Sequence, residues 1–283
     1  MADKLTAIVV GVTGGDALHR CADAVAAQAS TVLLACRDGT ISDLGGKTIG
    51  RAEHCNIPSK RKRAVELAST PLVALIEDTV TPHAGWAEAI AEALESGTAL
   101  ACGGPVAIAR GLPSSSRALA LAEYGAYNDR RRAGPVTTLP GCNFAFRRQP
   151  LLKALEGAEG LIDQLTFKSL AELGGEIAWA PEMAVTFCRA NAEGARLSTR
   201  FRHGRIYASS GDRRDPVHRA AAAAKALLLP LVLTLRSLRN AAPAERRSMS
   251  TLGWLMLQHT AWAAGEGAGA IFGQSAAGLS EWQ

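Results

Sequence analysis

Residues Leu72–Trp86 read LVALIEDTVTPHAGW: five apolar residues, two adjacent carboxylates, then a turn-forming stretch with Pro82 and Gly85. A run as short as Leu72–Ile76, without alternation, reads as a strand covered on both faces. Pro82–Glu95 then reads as a helix with its proline near the start. The pattern extends in both directions. Ala7–Gly11 (AIVVG) predicts another buried strand. Asp16–Ala29 predicts a helix with Leu18, Cys21, Ala22, Val25 and Ala26 on one face. Thr31–Cys36 is a strand stopped by Arg37-Asp38-Gly39, and Lys60–Ser69 is helical. Ala99–Ile108 is the next strand. Alternation at this spacing predicts an α/β fold: a mixed, mainly parallel sheet flanked by helices. Ligands of such sheets bind at the carboxyl ends of the strands, where Asp38, Glu77 and Asp78 are expected to converge.

Past Arg110 the pattern changes. Ser114–Tyr127 reads as a helix, Thr137–Phe146 as mostly extended, Leu161–Leu173 as a helix and Glu176–Ala180 as a short strand. From Arg196 the chain reads as helices to the end. The expected division is a catalytic-type α/β domain over 1–210 and a helical C-terminal region over 211–283.

A chain of 283 residues builds a core without disulfides. The six cysteines include no C-x-x-C pair, which argues against zinc and redox dithiols and for reduced, buried thiols. Aromatic residues make up only 5%, too few for a base-stacking platform, so no nucleic-acid partner is expected. The N-terminus leads straight into a strand and lacks the pattern of a signal peptide. The net charge of +5 is uneven: twelve Lys/Arg against five Asp/Glu lie from Arg196 onward, leaving the preceding part at about −2. A basic tail seeks phosphates, those of anionic lipid included.

Several residues have the chemistry of a site. Glu77-Asp78 suits a divalent cation that bridges a diphosphate, though an acidic pair at a strand end is equally a solvated terminus. Asp38 can accept hydrogen bonds from a base or ribose, or simply close an Asp-Gly turn. Gly11, Gly14 and Gly15 follow the first strand but do not spell G-x-G-x-x-G. Leu139–Arg148 (LPGCNFAFRR) places a turn, the Asn143 amide and two guanidiniums within ten residues. Asp163, at a helix start, reads as a cap or as a general base.

In this order the motifs resemble family 2 glycosyltransferases of the GT-A fold, of the bacterial membrane-associated type, over roughly the first 210 residues. The matching elements are Asp38-Gly39-Thr40, Arg61 within Ser59–Arg63, Glu77-Asp78 with Pro82–Trp86, Gly141–Arg148, Ile162-Asp163, and Arg200–Arg205. The resemblance implies that Asp38 contacts the base, Arg61 the donor, Glu77 ribose or sugar, and Asp78 a divalent cation, Mg2+ or Mn2+. It implies further donor contacts from Gly141, Asn143, Arg202 and Arg205, and Asp163 as the base of an inverting transfer. The donor is a nucleotide sugar and the acceptor a glycan or a lipid-linked molecule. Three positions depart from the pattern. Thr79 replaces the last acid of Asp-x-Asp, Ile162 replaces the Glu before the base, and Val185-Thr186-Phe187 carries no His.

In the tail, Ala226–Leu235 (ALLLPLVLTL) is too short to span a bilayer as a helix. With the interrupted apolar segment Leu252–Phe272 it is expected to lie in an interface, at the cytoplasmic face of the inner membrane. The alternative is an ordinary helical cap on the domain or on a dimer partner. Ala261–Gly269 also resembles the tail of membrane-bound family members. Two further readings stay open: an NAD(P)-dependent Rossmann oxidoreductase, and an inactive GT-A paralogue that serves as a membrane-bound partner.

Overall fold

The computed structural model describes residues 4–36, 47–48, 56–127, 133–190, 195–209, 216–241 and 243–273. The chain forms two compact units: Met1–Ala109 with Tyr127–Cys188, and Arg110–Ala126 with Arg189–Gln283.

The first unit is built on strands β1 (Leu5–Val10), β2 (Thr31–Ala35), β3 (Lys47–Thr48), β4 (Leu72–Glu77), β5 (Val80–Pro82), β6 (Ala99–Gly103), β7 (Val106–Ile108), β8 (Gly134–Pro135), β9 (Asn143–Arg147), β10 (Glu176–Trp179) and β11 (Val185–Phe187). Eight of these form one sheet in the order β3-β2-β1-β4-β9-β6-β10-β8. Strands β9 and β8 run against the others, so the sheet is mixed and mainly parallel, as expected. All six residues of β1 are buried, which is why Ala7–Val10 reads as an unbroken apolar run. A three-stranded sheet, β5-β11-β7, stands apart.

Helices α1 (Gly15–Ala26), α2 (Ile57–Leu67) and α3 (Trp86–Glu95) follow β1, β3 and β5. Helix α1 buries Leu18, Cys21, Ala22 and Val25, the i, i+3, i+4, i+7 stripe of an amphipathic helix. The Asn56 side chain caps α2 by accepting from the Ser59 N–H, and Pro58 occupies the first turn.

Two expectations need correction. Pro82 does not start a helix. It ends β5, where it pairs with Val185 at the edge of the small sheet, a place where a proline without an N–H is tolerated. Helix α3 begins only at Trp86, after Gly85 turns the chain at φ 82°. The single strand expected over Ala99–Ile108 is two strands in different sheets. The break falls at Gly104, where a side chain would collide with the carbonyls of Ala180 and Met183.

Strand β9 leads into α5 (Arg148–Ala154), and α6 (Asp163–Glu172) precedes β10. On β9 the residues alternate. In the main core Phe144 and Phe146 meet Phe167 of α6 at centroid separations of 6.1 and 6.2 Å, and each other at 5.3 Å. Asn143, on the opposite face, meets Trp86.

The second unit is helical: α4 (Ser114–Tyr124), α7 (Ala195–Ser209), α8 (Pro216–Asn240), α9 (Pro243–Arg247) and α10 (Met249–Phe272). Helices α7 and α10 pack with their backbones close together. A side chain on Gly204 would strike the Trp262 carbonyl, one on Gly265 the Phe201 carbonyl, and one on Gly269 the Arg205 carbonyl. Among the described residues, no helix is long and apolar enough to cross a membrane.

Candidate active site

Strand β4 delivers Glu77 to the carboxyl end of the sheet, in register with Val10 of β1. The chain stays extended beyond it: Asp78 N–H donates to the Val10 carbonyl and Glu77 N–H to that of Cys142. Successive side chains of extended backbone point in opposite directions. Glu77 and Thr79 therefore share one side, and the Thr79 hydroxyl donates to Glu77 Oε2 at 3.2 Å. Asp78 goes the other way.

The Asp78 carboxylate is fully buried. It accepts from the N–H groups of Val12, Thr13 and Gly14 at 2.6–3.0 Å. These amides sit at the end of β1, in a turn held by Gly14 at φ 77°. A carboxylate buried against three amides is a framework element. Both oxygens of Asp78, the residue to which the resemblance gives the cation, are thus turned to backbone amides, and neighbours in sequence here are not neighbours in space.

What Glu77 meets instead is Arg61. The α2 helix carries Arg61 on its buried side, where its Nη2 donates to Glu77 Oε1 at 2.7 Å and to the Gly141 carbonyl at 2.9 Å. Its Nη1 donates to Asp163 Oδ1 at 2.8 Å. The guanidinium carbon lies 5.5 Å from the centre of the Phe144 ring. A buried cation needs such a set of partners, and planar geometry lets one arginine bridge two acids. The trio carries one negative charge in excess.

Asp163 is the first residue of α6, and the cap position before it, Ile162, makes no side-chain hydrogen bond. Its carboxylate accepts from its own backbone N–H at the helix start and is also the far end of the Arg61 bridge. Its side chain remains 29% exposed, against 7% for Arg61 and 14% for Glu77. Burial raises its pKa above the usual carboxylate value, while Arg61 pulls it down, and the net direction is up. Gly141 is required here: a side chain on it would collide with Asp163 Oδ2. The approach of α6 to α2 is fixed by Leu161 N–H donating to the Pro58 carbonyl at 2.9 Å.

The structure thus joins Arg61, Glu77, Gly141 and Asp163. Asn143, expected at the donor, is fully buried. It accepts from Trp86 Nε1 at 2.9 Å and donates to the Met183 carbonyl at 2.7 Å, so its amide serves the fold. Asp38 lies outside the described residues. Arg202 and Arg205 lie on α7 of the second unit. Arg202 is half-buried, and Arg205 Nε donates to the Gly273 carbonyl at 3.1 Å. Sequence reasoning missed the Phe144 ring under the guanidinium and the Thr79 hydroxyl against Glu77. The i, i+2 spacing of an extended chain was the available signal for the latter. An open groove of about 530 Å³, lined by Leu100, Pro150, Lys153, Glu156 and Leu173, lies level with the start of β4, at the other end of the strands from Glu77.

No protein family and no curated protein matches the sequence. Among solved structures, a mannosyltransferase from Pyrobaculum calidifontis, in complex with GDP-Man and Mn2+, is similar with a TM-score of 0.55 at 16% identity, over 96% of this chain and 88% of that one. GalNAc-T7 with UDP, GalNAc and Mn2+ follows at a TM-score of 0.48 and 9% identity, over 66% of this chain and 43% of that one. A mycobacterial protein has a TM-score of 0.47 at 13% identity, over 72% and 74%. The mixed, mainly parallel sheet flanked by helices is the GT-A fold, and the likeness to the mannosyltransferase rests on that fold.

Proposed function

We propose that the chain is a glycosyltransferase of family 2 type that transfers a sugar from a nucleotide-sugar donor. The observation that carries this is the Glu77–Arg61–Asp163 bridge at the carboxyl end of the GT-A sheet. Asp163 Oδ2 takes the proton of an acceptor hydroxyl as that oxygen attacks the anomeric carbon. The bond from that carbon to the nucleoside diphosphate breaks, and the diphosphate leaves with the electron pair. Attack from the far side inverts the configuration. Arg61 keeps Asp163 ionised and aimed, and Glu77 anchors Arg61 and faces ribose or sugar. Asp38, Arg202 and Arg205 complete the proposed donor contacts.

The mannosyltransferase of like fold was solved with Mn2+, and the resemblance implies a divalent cation here too. Among the described residues, the side chains at this end of the sheet do not by themselves make a cation site. The Asp78 oxygens are taken by backbone amides, Thr79 stands where the second acid would, and Arg61 lies between Glu77 and Asp163. Among the described residues no three His, Cys, Asp or Glu side chains gather as a cation site. No step of the proposed mechanism therefore runs through a metal.

The Val12, Thr13 and Gly14 amides also bear on the oxidoreductase alternative. In a dinucleotide-binding fold the turn after the first strand faces a pyrophosphate, and here it holds Asp78. The reading also includes a glycan or lipid-linked acceptor and work at an anionic membrane surface, the cytoplasmic face of the inner membrane. The basic charge from Arg196 onward supports it. The test is a thermal-shift screen of nucleoside diphosphates and their sugars, with Mg2+, Mn2+ or EDTA. Stabilisation by one nucleotide series is the expected result. A flat response to every nucleotide, alongside tight NADH binding, would overturn the reading.

A further inference from the structure

Among the described residues, helix α8 presents an apolar face left exposed. Leu227, Leu228, Leu231, Val232 and Leu235 recur at i, i+1, i+4, i+5 and i+8, the spacing of one helix face, and are 51–82% exposed. The opposite face is already used within the helical unit. Ala226 and Leu229 pack on Ala263, Thr234 meets Met256, and the Ser237 hydroxyl lies 3.1 Å from His259 Nε2. The middle of α8 is thus apolar all round, with one side buried in protein and the other unpartnered. Five large aliphatic side chains side by side form the kind of patch that a chain does not leave to water.

Charge narrows the occupant. Exposed Lys225 stands at one end of the patch, and exposed Arg236 and Arg239 at the other. The helix PVHRAAAAAKALLLPLVLTLRSLRN contains no Asp or Glu. A second copy pairing through this face in antiparallel fashion would set Lys225 against Arg236, and a parallel pairing would set each cation against itself. Neither arrangement has an acid on α8 to relieve it. An apolar strip bounded by cations is complementary to a sheet of hydrocarbon bounded by anions. The apolar run Ala226–Leu235 is about 15 Å long, half the hydrocarbon thickness of a bilayer, so the helix lies along the surface.

We propose that α8 docks on an anionic lipid bilayer with Leu227, Leu228, Leu231, Val232 and Leu235 in the acyl region and Lys225, Arg236 and Arg239 at the headgroup phosphates. This rests on the membrane-surface part of the function proposed above and is independent of the donor. The experiment is co-sedimentation of the full chain with phosphatidylcholine vesicles, with and without phosphatidylglycerol. The wild type is compared with Leu228→Glu/Leu231→Glu and with Arg236→Gln/Arg239→Gln. Thermal melts serve as the control on folding.

The expected result is binding to the phosphatidylglycerol vesicles only, lost in the double Glu variant. The double Gln variant binds roughly thirtyfold more weakly, and high salt weakens the wild type in the same direction. Undiminished binding by the double Glu variant overturns the assignment of the face while leaving membrane attachment standing. Absence of wild-type binding overturns both. A dimer in light scattering that the double Glu variant splits, with no vesicle binding, gives the face to a second copy and overturns the proposal. The nucleotide shift, read in the same samples, reports on the transferase reading alone.

Discussion

Arg61 of the sheet unit and Arg200 of the helical unit are buried to the same depth, 6% and 7% exposed, and each lies over an aromatic ring. Their partners differ. Arg61 holds two carboxylates at 2.7 and 2.8 Å and a backbone carbonyl. Arg200 holds one, Glu123, at 3.5 Å, and stacks its guanidinium 4.6 Å from the Trp262 ring. The second pair balances: one cation, one anion, joining α7 to α4 and α10. Among the described residues the first has one acid more than the second, and Asp163 has its proton affinity raised by burial. Burial with pairing is common to staples and sites. A surplus ionisable group, fixed but still reachable, is what distinguishes a site.

The sharpest way to break this comparison is Asp163→Asn. It keeps the shape and the hydrogen bonding of the side chain but removes the base. Transfer should fall by about a thousandfold, the scale of a general base, with the nucleotide-induced thermal shift intact. Full activity in this variant would reduce the Arg61 bridge to a staple like that of Arg200. The pH profile sharpens the same point. Transfer requires ionised Asp163, so it is lost as pH falls through the raised pKa, at a higher pH than an ordinary carboxylate gives. Arg61 pulls that pKa down. In Arg61→Gln the acid limb of kcat/KM should therefore move to still higher pH, which a role in folding alone would not produce.

The converse test is Arg200→Ala. It leaves Glu123 partly buried and without its cation, and should cost about 3 kcal/mol in chemical denaturation. The nucleotide shift should survive in the molecules that fold. Gly141→Ala comes next in size. The added methyl group must displace the Asp163 carboxylate, and a misplacement of this kind costs about a hundredfold in kcat. Circular dichroism should show the fold unchanged.

Much of the fold was readable because buried parallel strands advertise themselves. AIVV of β1 and LVALI of β4 are apolar throughout since both faces are covered. Strand β9 gave no such sign, because its place between β4 and β6 depends on partners some seventy and forty residues upstream in the chain. The site divides in the same way. Arg61, Glu77 and Asp163 were found from the order of motifs, but that they form one bridge required the tertiary approach of α2 to α6. The partners of Asp78 and Asn143 were hidden from the sequence for a shared reason. Each belongs to extended backbone, where the adjacent residue faces the other way, and a motif written as letters hides that period of two. In the tail, Gly265 and Gly269 read as a family signature. Their physical task is narrower: they let α10 lie against α7.

The smallest expected effect sits beside Arg200. His259 is buried between α8 and α10, and desolvation, with Arg200 adding to it, lowers its pKa to about 4. In the unfolded chain the same imidazole titrates near 6.5. Between these values the unfolded state binds a proton that the folded state refuses, so stability falls as pH drops from about 6.5 towards 4. At pH 5 this amounts to about 2 kcal/mol relative to neutral pH. In His259→Gln, which preserves a hydrogen-bonding group towards Ser237, that part of the acid loss should vanish when melts at pH 7 and pH 5 are compared. In Arg200→Ala it should shrink, because one cause of the depressed pKa is gone. Arg61 acts on its titrating neighbour with the same sign, holding a proton off a carboxylate as Arg200 holds one off an imidazole, but there the form it favours is the charged one. The two arginines would then differ in what their field is for: in the helical unit it destabilises a bystander, and in the sheet unit it keeps a base ionised.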